Sequence, residues 1–91
     1  MPYITQEDRD KLKPLTDELD KLPFSRQMPH QTSGWVNYLI TKLMRRVVGW
    51  YGESYGVYSM LIGALECAKL ELYRRQVTLY EDKAIERNGD V

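Results

Sequence analysis

Arg45 and Arg46 precede Trp50, Tyr51 and Tyr55 across the glycine-punctuated run GWYGESYG, the chain's richest set of ligand-recognising side chains. Guanidinium groups grip phosphate through paired hydrogen bonds, aromatic rings stack bases, and a new helix start offers N–H groups to an anion. The set predicts a site for an anionic, nucleotide-like small molecule. Arg74 and Arg75 would add charge if another subunit brought them in. A plainer account is available for every member. Arginines near a helix C-terminus complement its dipole. Arg74 and Arg75 stand three and four residues after Glu71, which is ion-pair spacing on a helix. The rings can plug the end of a helix pair or an interface. No G-K-[ST] follows the glycines, so this is not a phosphate loop.

The remaining reactive groups are sparse. Asp82, Glu86 and Asp90 recur every four residues, an acidic ladder on a helix, with Glu81 adjacent and Lys83 and Arg87 nearby to offset it. Such a row repels itself slightly and points to a cation or a basic partner when it is not simply solvated. Small all-α enzymes that cleave nucleoside triphosphates hold magnesium with E-x-x-E on one helix and E-x-x-D on another. Here Glu66 and Glu71 are five apart, on different faces, and the second helix carries no acid, so a catalytic metal set is not assembled. Cys67 lies inside a helical pattern, where a buried core or interface thiol is expected, and His30 has no triad partners. We assign no catalytic residue, no metal ligand and no cofactor.

Ninety-one residues with zero net charge fit one domain over 1–91 and argue against bulk nucleic-acid binding. The charge is uneven, however. Residues 23–52 hold Arg26, Lys42, Arg45 and Arg46 without one carboxylate, and acids crowd both flanks. A single cysteine fits a reducing compartment. The opening MPYITQEDRD does not read as a secretory signal, and no apolar run reaches membrane-spanning length. A soluble, cytoplasmic protein is expected, in the host cytoplasm if phage-encoded.

These groups need elements to hold them. Ser54–Asn88 is free of proline and closes at Asn88-Gly89, predicting one helix of roughly 45 Å. It carries two stripes. One is Tyr58, Leu61, Leu65, Ala68, Leu72 and, past Arg75, Leu79; the other is Ile62, Tyr73, Val77, Tyr80 and Ala84. Upstream, Thr5 with Asp8 marks a helix start, and Pro14 splits the region into pieces at about 5–12 and 14–22. PFSRQMPHQTSG, residues 23–34, reads as a connection that packs through Phe24 and Met28 or reaches a neighbouring chain. Ser33 then caps a helix over about 34–50, with Val36, Leu39, Ile40, Leu43, Met44 and Val47 on one face.

Tyr73–Val91, YRRQVTLYEDKAIERNGDV, resembles the ending of a family of short uncharacterised bacteriophage and bacterial proteins. The M-P-Y-I-x-Q-E-D-R opening, the N-Y-x-I segment at Asn37–Ile40 and L-E-C-x-K-x-E at Leu65–Glu71 resemble that family too. The resemblance spans most of the chain and implies a phage or prophage setting, without an activity or site residues.

The expected fold is all-α: a long antiparallel helical hairpin with short N-terminal helices. The final helix outruns its hairpin partner, so a homo-oligomer, a dimer or higher, is expected to cover the surplus apolar surface. The expected function is a non-enzymatic binding protein that sequesters a nucleotide-like host immune signalling ligand. The alternative is a protein–protein interaction module acting on a host or phage protein. A metal-dependent nucleotide pyrophosphohydrolase-like enzyme ranks third. No membrane partner is expected.

Overall fold

The computed structural model describes residues 4–90, and every regular element among them is helical: α1 (Gln6–Leu19), α2 (Pro29–Tyr51), α3 (Tyr55–Leu72), a π-helical turn (Tyr73–Val77) and α4 (Thr78–Asn88). Met1–Tyr3 and Val91, which belong to the opening and ending that carry the family resemblance, lie outside the described residues. The chain divides into two units, Met1–Leu43 and Met44–Val91, and α2 runs through both.

In the first unit Thr5 caps α1 as its spacing predicts: its hydroxyl oxygen accepts from the Asp8 N–H at 3.1 Å. The expected break at Pro14 is absent, and α1 continues through it. Proline removes the N–H that would bond the Asp10 carbonyl. Asp10 and Pro14 are both exposed, so water can take that carbonyl. Side-chain links at i,i+4 also brace both sides: Gln6 Nε2 donates to Asp10 Oδ1 at 2.9 Å, and Lys13 Nζ meets Asp17 Oδ2 at 2.9 Å.

The second correction concerns the connection. It is shorter than the proline count suggests, because α2 begins at Pro29 and takes in His30 and Ser33. The Met28 carbonyl accepts from Gln31 N–H at 3.0 Å and Thr32 N–H at 3.3 Å, so Pro29 occupies the first helical position, where its missing N–H costs nothing. Phe24 packs its ring on Trp35 with centroids 5.7 Å apart, while Met28 stays exposed.

In the second unit α2 stops at Gly52, whose φ of +87° suits glycine and whose N–H returns to the Val48 carbonyl at 2.8 Å. Ser54 caps α3 by accepting from Val57 N–H at 3.1 Å. From there the chain stays helical to Asn88 and ends at Gly89, φ +84°. The sequence therefore locates this rod at both ends. It does not show the π turn, where the Thr78 N–H bonds the Tyr73 carbonyl, one residue further back than in an α-helix.

That extra residue rotates everything beyond it by about 100°. Val77, Tyr80 and Ala84, which a pure α-helix would place on the second stripe, come round behind Leu61, Leu65, Ala68 and Leu72. Leu79 leaves that line. One stripe replaces two, stepping 3, 4, 3, 4, 5, 3, 4 from Tyr58 to Ala84. Leu61 is the only buried hydrophobic side chain among the described residues, at 8% exposure.

Candidate binding cleft

The last two turns of α2 and the first three of α3 line an open cleft of about 480 Å³. Met44, Val48 and Gly49 come from α2; Tyr58, Leu61, Ile62 and Leu65 come from α3; Arg45 supplies the one charged wall residue. The i, i+3, i+4 spacing that makes an apolar helix face also fills this lining. Most of these residues are legible in the sequence as helix-face positions. What a one-dimensional pattern lacks is the gap between the faces.

The predicted ligand set is distributed rather than gathered. Arg45 faces the cleft. Arg46, one residue on, places its Cζ 5.3 Å from the centroid of the Trp50 ring, a cation–π pair at i,i+4 spacing outside the cleft lining. Tyr51 and Tyr55 flank the Gly52 turn and are exposed, Tyr55 at 88%. Arg74 and Arg75 both hold Glu71: Arg74 Nη2 to Oε1 at 2.6 Å, and Arg75 Nε to Oε2 at 2.7 Å. That pairing is the plainer account their spacing offered, and it puts both guanidiniums at the π turn, along the rod from the cleft.

Arg45 and Arg46 differ in their electrostatics. Among the described residues no carboxylate stands within ion-pair distance of either. The cause is the carboxylate-free stretch of residues 23–52, which gives α2 no acid at i±3 or i±4 of these positions. On the rod, by contrast, Lys69 meets Glu66 at 3.3 Å and Glu71 serves two arginines.

The other candidate groups take simple positions. Asp82 and Glu86 share α4, but Asp90 lies beyond the Gly89 stop, so the ladder has two helical rungs, not three. Among the described residues no three of His, Cys, Asp and Glu gather as a metal site. Cys67 is exposed on this chain, which corrects the expectation of a core thiol. No described helix is long and apolar enough to cross a membrane.

The model of a family described as "Domain of unknown function (DUF6899)" matches residues 1–91. The chain belongs to that family. No curated protein and no solved structure matches it.

Proposed function

We propose that this chain is a non-enzymatic protein-interaction module that works as a homo-oligomer. The observation that carries the reading is the scarcity of buried apolar side chains: among the described residues Leu61 alone is buried, while leucines, tyrosines and isoleucines along every helix stay at the surface. Exposed apolar surface of this extent marks an association site. In the phage setting that the resemblance implies, the assembled protein would act on a host or phage protein. Sedimentation velocity at micromolar concentration is the direct measurement. A species of at least twice the 10.7 kDa chain mass is expected, and a lone subunit across that range defeats the reading.

A second reading rests on the Arg46–Trp50 pair, which exposes a cation and an indole face together and meets no carboxylate among the described residues. Arg45, Tyr51 and Tyr55 stand within a few residues of it in sequence. An anionic, nucleotide-like ligand, such as a host immune signalling nucleotide, would stack on Trp50 and place its phosphate on Arg46. Thermal-shift screening against mono-, di- and cyclic nucleotides tests it. A ligand at a hundred times its Kd adds about 2.7 kcal/mol, and Arg46→Ala should erase the shift while the oligomer persists. No shift with any nucleotide removes this reading.

A further inference from the structure

The π turn has a geometric effect that the cleft makes meaningful. It turns Val77, Tyr80 and Ala84 to the same side of the rod as Leu61 and Leu65, which line the cleft. A helix that carries a receiving face on one half and an inserting face on the other can close a twofold pair only if both point the same way. A pure α-helix would set them about 100° apart. We infer that two copies pair antiparallel through their rods, α4 of each lying in the cleft between α2 and α3 of the other. This rests on the homo-oligomeric reading above and names its surface and its partner.

Three observations select a second copy as the occupant. The first is register. With the twofold near residue 71, Tyr58 meets Ala84 of the second copy, Leu61 meets Tyr80, Leu65 meets Val77, and Ala68 meets Leu72. Large opposes small in the first and last of these pairs, Leu65 meets the slightly smaller Val77, and the exposed Tyr80 covers Leu61 in the cleft. Parallel pairing would instead set tyrosine on tyrosine and alanine on alanine.

The second is charge. Glu81 lies on the same edge of the rod as Ile62, which shares the cleft wall with Arg45. Antiparallel twofold pairing brings like edges together, so Glu81 of the second copy arrives where Arg45 lacks a carboxylate.

The third is area. Tyr58, Leu65, Leu72 and Tyr80 are 41%, 36%, 54% and 66% exposed. Those four alone offer roughly 400 Å² per copy, about half of the ~800 Å² per partner of a stable interface, before α2 and the flanking residues are added.

Spin-label distances on the full chain test the arrangement. A nitroxide on the native Cys67, close to the twofold, should give an interchain distance under about 25 Å. A label on Glu86→Cys in a Cys67→Ser background should give about 45 Å, because 1.5 Å per residue separates the rod ends. Short distances at both sites, with a dimer in sedimentation, overturn the antiparallel pairing and leave the homo-oligomeric reading standing. A monomer in sedimentation overturns both. Charge exchange supplies a test of the cleft contact itself. Arg45→Glu and Glu81→Arg should each weaken the dimer about tenfold, and the double exchange should restore it. Failure of the double exchange to restore it, with both single variants folded, overturns the placement of α4 in the cleft.

Discussion

At the residue scale the helix starts are set by single oxygens. Ser54 holds the first turn of α3 by accepting from Val57 at 3.1 Å, and no other side chain caps that end. Ser54→Ala should therefore lower stability by about 1 kcal/mol, read as a shift in the urea midpoint without loss of helical signal in the folded baseline. Glu71 makes a useful contrast. It holds two arginines at 2.6 and 2.7 Å, yet both guanidiniums are more than half exposed, so solvent screens the pairs and their contribution is small. The caps at Thr5 and Ser54 and the stop at Gly89 are readable from residue type, because a cap needs one hydroxyl at one spacing and a stop needs one glycine. Arg74 and Arg75 are readable too, once ion-pair spacing is preferred over a distant ligand. The separation of Arg45 from Arg46 follows from helix geometry, since neighbours in sequence are about 100° apart around the axis.

At the element scale the all-helical class and both ends of the rod follow from periodicity and punctuation. Proline explains the two errors, in opposite directions. Pro14 is tolerated inside α1 because the affected carbonyl faces water, and Pro29 opens α2 because a first-turn residue needs no N–H partner. The π turn leaves almost no trace in YRRQV, a run with no glycine or proline to mark a change of helix type. It is nevertheless the element with the sharpest test. Deleting Gln76 should restore continuous α geometry and keep Val77, Tyr80 and Ala84 in line with Leu61 and Leu65, because the step from Leu72 shortens from five residues to four. Deleting Arg75 and Gln76 together should turn them about 100° away. Circular dichroism should change little in either variant, while the sedimenting dimer persists in the first and is lost in the second. A dimer of unchanged strength after the double deletion would show that the aligned stripe is not the interface.

At the scale of the whole molecule the chain is short for a self-sufficient core, and its apolar side chains are spread along helices instead of gathered in one place. On the homo-oligomeric proposal association is part of folding, and the sedimentation result expected above follows from the same deficit. The cation-rich centre and the acidic flanks, neutral in sum, acquire a role in that frame: no ion pair joins them among the described residues, and two chains would let them meet. The sequence shows the imbalance of charge and of helix length. The phase of the stripe beyond Leu72 depends on the one-residue insertion, which has no mark in the sequence.

Trp35 and Trp50 fall on opposite sides of the boundary at residues 43 and 44, and their surroundings differ: one ring leans on Phe24, the other sits under the Arg46 guanidinium. The chain thus carries two built-in optical reporters, one for each unit. A cationic quencher or a red-edge excitation scan can follow the halves of the chain separately, with no label added.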